Sequence, residues 1–372
     1  MSNVGALLPG LYATAQDSAR WTPVLDELCR VIGTRNAAMQ ILDRNGDYLR
    51  PTITARDSYS LVHAQLHDRY VNNDANPRFK IRYSLNSDRA IIRDRDRFDS
   101  DSAEFDGLRA RLAAVGLGSS ICVTFEMRPD RYFSLILHRS VDDLQEFGER
   151  DEALLNELLP HLRQTMGLFA SLEEARSVST SLQAAIDMVR LRVILCDADG
   201  HVKWFNRSAE IMIARSSMLS LRNARLGVSG YGGAPAALRQ LLTAVPGETG
   251  SPVMALEQDG DMLQLRAAPL GQAVVGGREL RALFLSDAGA PLEILPADIV
   301  RLFNLSPAEA RLASAIAGGA SVSSYSETRG ISVGTARIQL KQVLAKTQAS
   351  KQADLMRQLC GSVVAQTVSR RH

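Results

Sequence analysis

Apolar residues recur along this chain with changing periods, and the changes mark out its parts. Between residues 20 and 165 helical and alternating stretches are mixed. A helix is expected near 22–32, then the alternating run AAMQILD, an RNGD turn and a second strand through Ile53. A helix over about 58–72 follows, then an irregular, charge-rich stretch to 100 and a helix near 102–114. Two alternating strands, SICVTFEM and RYFSLILHRS, are joined through Arg128-Pro129-Asp130. From about Glu149 to Leu182 the pattern is that of one long helix. Leu155, Leu159, Leu162, Met166, Phe169 and Leu172 follow spacings of four and three, the seam of a short coiled coil, with Pro160 expected to kink or break it. Such a connector either pairs two chains or packs as a terminal helix on its own domain.

A strand rhythm returns between residues 190 and 287. LRVILCDADGHVKWFNRSAEIMI predicts a strand, an Asp-Gly turn, a second strand and a helix capped by Asn206. Tyr231, Gly232 and Gly233 mark a loop, and Pro235 opens a helix. PVMALEQDGDMLQLRAAPL predicts a hairpin turning at Asp259-Gly260, and LRALFLSD a last strand. Met212, Met218, Leu221 and Phe284 could line a pocket here, although apolar residues at such positions usually form core.

Beyond the Pro291–Pro296 linker the pattern turns purely helical, with four short helices. Ser306, Pro307 and Glu309 spell an N-cap, a first-turn proline and a capping box. Leu312, Ala313, Ile316 and Ala317 form an apolar stripe that Gly318-Gly319 ends. A second helix over about 321–329 stops at Gly330, and Ser332 caps the third. In that helix Ala336, Leu340, Val343, Leu344 and Thr347 make one inward face. Thr335, Arg337, Ile338 and Lys341 project elsewhere, as they would from a helix laid in a DNA major groove.

Composition sharpens this division. At 372 residues two or three domains are expected, and 45% hydrophobic with 23% charged residues is ordinary for a soluble protein. Net charge is +2, but residues 301–372 hold ten Lys/Arg against three Asp/Glu, so the rest of the chain is net acidic. A basic C-terminal module suits a phosphate-bearing partner; Arg370, Arg371 and His372 form a solvated basic tail. No transmembrane span and no basic n-region before an apolar patch can be read, so a cytoplasmic location is expected. Cys29, Cys122, Cys196 and Cys360 lie far apart, as buried thiols would, with no metal-site spacing.

SPAE, GG, GIS and GTAR followed by QVLAKT resemble the LuxR/FixJ (GerE-type) helix-turn-helix family over about residues 303–362. The resemblance implies DNA contacts at Ser332, Thr335, Arg337, Ile338, Gln339 and Lys341, with Lys346 near the backbone at the helix's far end. Gln339 stands where the family often has His, Tyr325 and Ser326 replace a small apolar pair, and Arg329 replaces a buried Leu. An arginine there must snorkel outward or find a partner. Asp199, Gly200, Asn206 and Ala209 match the opening of a PAS domain, and nothing resembles a haem or flavin attachment signature. The order of elements before residue 165 is similar to GAF-like sensors and, more distantly, to the autoinducer-binding domain of quorum-sensing LuxR proteins.

The expected architecture is thus a multidomain α+β protein. Residues 1–148 would be a GAF-like α/β ligand sensor, 149–188 a connector and dimerisation helix, 189–288 a PAS-like α+β domain, and 297–362 an all-α tetrahelical helix-turn-helix domain. For the effector, the stretch LVHAQLHDRYVNNDANPRFKIRYSL and Tyr59 just before it point to Tyr59, His63, Tyr70, Asp74 and Phe79, where Tyr70 and Asp74 match the aromatic-then-Asp order of autoinducer receptors. Both tryptophans, Trp21 and Trp204, lie outside this stretch, which counts against a lactone. His63 and His67 are four apart without a third metal ligand, so they read as satisfied or surface histidines. The run DRAIIRDRDRFDSDSAEFD reads as a solvated loop or helix face. No GxSxG, Walker loop or GxGxxG is present, so no enzyme, cofactor or metal is expected. The function implied is a ligand-responsive, homodimeric regulator of transcription that binds operator DNA and contacts RNA polymerase. A constitutive regulator with a vestigial sensor is the rival, and an enzyme with a GAF-like domain a more distant one.

Overall fold

In the strand Asn36–Asn45, Ala37, Met39 and Ile41 are buried in one apolar core, while Asn36, Ala38 and Gln40 between them face a polar cavity, so the alternation orders the first half of the molecule. The computed structural model describes residues 4–84, 89–229, 232–244, 252–287 and 289–367, which leaves Tyr231 and the basic tail 370–372 outside the described residues. The fold is mixed helix and sheet, in two units, Met1–Val178 and Ser179–His372.

Unit 1 opens with α1 (Leu8–Ala13) and α2 (Trp21–Ile32), the latter ended by Gly33 at φ 80°, the left-handed cap that glycine adopts without strain. β1 (Asn36–Asn45) and β2 (Tyr48–Arg56) form a hairpin. Then come α3 (Ser58–Val62), α4 (Ala64–Tyr70), α5 (Ile81–Ser84), β3 (Ile91–Arg93), α6 (Asp94–Arg97), α7 (Ala103–Ala113), β4 (Leu117–Arg128), β5 (Arg131–Ser140) and α8 (Glu149–Asp187), whose residues from 179 on belong to unit 2. The strands form one antiparallel sheet in the order β2-β1-β5-β4-β3. Ala37, Met39 and Ile41 of β1, Ile121, Val123 and Phe125 of β4, and Phe133, Leu135 and Leu137 of β5 pack with Trp21, Leu25 and Leu28 of α2 and Leu155, Leu158 and Leu162 of α8.

Three sequence expectations change here. The helix expected over 58–72 breaks at His63, whose backbone leaves the helical region (φ −101°, ψ 16°) while its Nδ1 lies 2.9 Å from the Tyr59 carbonyl. The charge-rich stretch read as solvated contributes β3 to the sheet edge and buries Asp94; Asp88, which opens it, lies outside the described residues. Helix α8 runs through Pro160 without a break. Its expected seam serves unit 1 itself, because Leu155, Leu162 and Met166 are core residues.

In unit 2, β6 (Arg192–Cys196), β7 (Val202–Phe205), α9 (Arg207–Arg215), β8 (Leu219–Arg222), β9 (Arg225–Val228), α10 (Ala234–Thr243), β10 (Val253–Gln258), β11 (Asp261–Val275) and β12 (Arg278–Asp287) follow one another. The main sheet has the order β10-β11-β12-β6-β7, and β8-β9 form a separate ribbon absent from the sequence reading. Its Asn223-Ala224 turn gives no Gly signal, yet both residues have positive φ (51° and 58°). Asn206 caps α9 by accepting from Ala209 N, and the Asp259-Gly260 turn has φ of 54° and 90°, as a two-residue hairpin requires. Met218 is core and Leu221 is 37% exposed, so those two do not share a pocket. Cys122 and Cys196 are buried, Cys29 half-buried, and Cys360 is exposed, contrary to the expectation of a buried thiol. Among the described residues no helix is long and apolar enough to cross a membrane.

The helices α11 (Pro296–Phe303), α12 (Pro307–Ala317), α13 (Val322–Arg329), α14 (Val333–Lys346), α15 (Gln352–Cys360) and α16 (Val363–Gln366) complete unit 2. The capping box forms: Glu309 N donates to Ser306 Oγ, and Ser306 N donates to Glu309 Oε2 at 2.7 Å. Leu312 and Ile316 pack with Tyr325 and Ala336, and Ala313 and Ala317 pack with Val343. Tyr325 fills the space a small apolar pair would leave, Ser326 satisfies its hydroxyl on the Ser323 carbonyl, and Arg329 is exposed, snorkelling outward.

Candidate functional site

The first candidate is the outer face of α14, a nucleic-acid interface. Gly330 (φ 63°) ends α13, and Ser332 starts α14 by accepting from Thr335 N at 3.0 Å. Ala336 and Val343 are fully buried and fix the helix from within. On the opposite side Thr335, Arg337 and Lys341 are exposed, and between them Ile338 is 62% exposed. Ser332 Oγ and Thr335 Oγ1 lie 2.8 Å apart at the helix N-terminus, where free backbone N–H groups favour an anion.

Two of the expected contacts sit differently. Gln339 is half-buried, and among the described residues its Oε1 is buried without a hydrogen-bond partner. Lys346 Nζ is drawn 2.8 Å from Glu309 Oε2, so its ammonium braces α14 against the start of α12. Burial pushes the Glu309 carboxyl up, but hydrogen bonds from Lys346 and Ser306 outweigh this and hold it below the usual range. Glu309→Ala strips the cap and the brace together, and is expected to destabilise unit 2 by about 1–2 kcal/mol. Urea unfolding followed by Trp204 fluorescence in a Trp21→Phe background checks this, and an unchanged midpoint would show that the brace contributes nothing.

A second candidate lies in unit 1, between the sheet face opposite the apolar core and the segment from α3 to Phe79. It is a cavity of about 30 Å³ whose lining includes Asn36, Gln40, Arg56, Ser60, His67, Asn72, Asn76, Arg78 and His138. A chain of buried polar groups runs along it. Arg78 makes a bidentate pair with Asp94, donating from Nε at 2.9 Å and from Nη2, and its Nη2 also reaches Ser120 Oγ at 3.0 Å. Arg78 Nη1 donates to His138 Nε2 at 3.0 Å. That leaves His138 Nδ1–H to donate to Asn36 Oδ1 at 2.9 Å. Asn36 Nδ2 continues to Ser60 Oγ, which donates to Asp57.

Burial and the neighbouring Arg78 charge hold His138 well below its ordinary value, so it stays neutral and the tautomer is fixed. Burial alone would raise the Asp94 carboxyl; the Arg78 pair more than reverses this. His67 is likewise lowered, by burial first and then by Arg56 and His63.

Of the ligand residues expected from sequence, Phe79 lines this cavity. Tyr59 and His63 stack with ring centroids 4.4 Å apart, and both rings neighbour His67. Tyr70 packs instead towards Phe98 and Leu108, and Asp74 sits on an exposed turn, so neither reaches the cavity. Sequence reasoning missed Asn36, Gln40, Arg78 and His138. For Asn36, Gln40 and His138 the signal was polar residues at alternate positions of strands, which looks the same for a solvated face; Arg78, in the turn Pro77–Phe79, gave none. His67, read as satisfied or at the surface, is buried.

Asp197, Asp199 and His201 come together at the β6–β7 turn and could offer oxygen and nitrogen ligands. Arg278 Nη1 already lies 3.0 Å from Asp197 and 2.9 Å from Asp199, and the Asp199 and His201 amides donate to Asp197. This cluster clamps a turn.

No family model matches the chain, and no curated protein does. Similar solved structures include the E. coli DhaR(N)-DhaL complex (12% identity, TM-score 0.32, covering 76% of this chain and 86% of that one). Another is the VqsR LBD domain from Pseudomonas aeruginosa (16%, TM-score 0.33, 46% and 98%). A third is SdiA from Escherichia coli (10%, TM-score 0.27, 95% and 95%). At these TM-scores the likenesses carry no argument about this chain.

Proposed function

We propose that the chain is a DNA-binding regulator of transcription, without catalysis of its own, that works as a homodimer and responds to a small-molecule effector bound in unit 1. The observation that carries the DNA reading is Ile338. Ile338, exposed between Arg337 and Lys341, supports this reading, because a major-groove helix uses such a side chain against thymine methyl groups. Arg337 then reads a guanine edge, and Lys341, Ser332 and Thr335 take phosphates. Selection of binding sites from random duplexes with the full chain tests this. Arg337→Ala should weaken the selected site by ~1–3 kcal/mol and relax one base position, while Lys341→Ala weakens all duplexes alike. Wild-type affinity in both variants would take α14 out of the interface.

The homodimer reading rests on the second half of α8. Leu168, Leu182 and Ile186 are exposed there, and with half-buried Leu172 they follow a heptad, a seam unlike the one expected from sequence. Leu182→Glu with Ile186→Glu should give a monomer in sedimentation velocity and weaken binding to two half-sites centred ~34 Å apart. A persisting dimer would exclude this face.

A further inference from the structure

We propose that the unit 1 cavity binds the head group of a small uncharged molecule, a primary carboxamide or a hydroxyl, which donates to Gln40 Oε1 and exchanges a hydrogen bond with His67 Nε2. This rests on the effector-responsive reading and names the chemistry of its site.

Three observations carry it. The first is what the walls leave unsatisfied. Gln40 is 1% exposed and His67 4%, both line the cavity, and among the described residues neither Gln40 Oε1 nor His67 Nε2 has a hydrogen-bond partner. Two such atoms on residues that line the same cavity call for an occupant there. Their neighbours are engaged: Arg78, His138, Asn36 and Ser60 with one another, and Asn76 with the Val71 carbonyl and Arg78 N.

The second is that the Gln40 amide cannot be turned round. Asn72 Nδ2 donates to the Asp68 carboxylate at 3.2 Å, which only its NH₂ end can do, so Asn72 presents its oxygen inward. Gln40 must answer with its own NH₂, at 3.2 Å, and this leaves its oxygen facing the cavity. The site therefore asks for a donor at that point.

The third is charge and size. No carboxylate is among the lining residues, and Arg56 and Arg78 are, so a cation is disfavoured. Both guanidinium groups already have carboxylate partners, Asp68 and Asp94, and the free Gln40 oxygen repels an anion. About 30 Å³ admits two or three non-hydrogen atoms, given ~10–15 Å³ for a water, which suits a head group and not a whole metabolite.

Histidine-labelled full-length protein titrated with acetamide tests the proposal, with acetate and methylammonium as charged comparators. Acetamide should move the His67 resonances saturably, with roughly millimolar affinity as expected for so few atoms, while both ions leave them unmoved. Gln40→Met should abolish the shift, with unperturbed His138 resonances reporting that unit 1 is folded. Should that variant not fold, His67→Gln should fold and bind acetamide at least tenfold more weakly, read by saturation-transfer signals of the acetamide methyl. Asp74→Ala should keep the full response. Absence of a saturable shift with acetamide, or an equal response to acetate, would overturn the proposal, as would retention in folded Gln40→Met. Saturable binding that leaves DNA affinity unchanged would uphold the site and overturn the regulatory reading.

Discussion

Replacing Asp94 with Ala is expected to destabilise unit 1 by about 3–5 kcal/mol, because it leaves a buried guanidinium without its counter-charge. Arg78 is 4% exposed and its fork is filled by both Asp94 oxygens, with Ser120 and His138 each taking a further hydrogen. Removing the carboxylate therefore strands a charge that no water can reach cheaply. The two units carry one tryptophan each, Trp21 and Trp204, so urea unfolding of a Trp204→Phe background reports on unit 1 through Trp21, itself 3% exposed. Replacing the pair together, as Arg78→Met with Asp94→Leu, should recover most of the loss, since a buried ion pair rarely exceeds a well-packed apolar substitute. A loss under about 1 kcal/mol in Asp94→Ala would show that the guanidinium finds solvent or another partner.

Mild acid should destabilise the same unit. His67 and His138 both titrate below 6.5 in the folded chain, because burial disfavours the imidazolium and nearby positive charge adds to it. Once pH falls below about 6.5 the unfolded chain takes up protons that the folded chain refuses. Stability is therefore complete above that value and is lost as pH drops towards the folded values, at up to ~1.4 kcal/mol per pH unit for each histidine. Asp94 and Glu104, also held low, add to the loss only towards and below their ordinary values of 3.8 and 4.5, so the window between pH 6.5 and 5 belongs to the histidines. Urea midpoints of the Trp204→Phe chain at pH 7.5 and 5.0 measure it. A flat profile would mean that both rings are protonated in place, and half the expected slope that one of them is.

What could be read from sequence was what adjacent residues decide. The Ser306–Glu309 capping box, the Asn206 cap and the Asp259-Gly260 turn are local bargains between a side chain and its own backbone, and each is found where expected. The inward face of α14 followed from its period alone, and Ala336 and Val343 are indeed buried. The Arg78–Asp94 pair was illegible, because its partners are sixteen residues apart in a stretch whose alternating charges look the same in water. Only the pairing of β3 with β4 takes Asp94 inside. Gln40 was hidden for a related reason: a strand's polar face is solvent or cavity according to what crosses it, and the crossing segment follows a break at His63 that no turn residue announces.

The alternation along β1 and β5 has a consequence for anyone reading mutational data. The strands pair as Asn36 with His138, Ala38 with Ile136 and Gln40 with Ser134, so one parity of residue number faces the cavity in both and the other faces the core. Odd positions such as 37, 39, 135 and 137 should register in melting, and even ones such as 36, 40 and 138 in what the cavity accepts. Deleting a single residue inside β1 would exchange the two sets at a stroke, sending Met39 towards Arg78 and Gln40 into the apolar layer. Length changes in this hairpin should thus be tolerated in steps of two and rejected in steps of one.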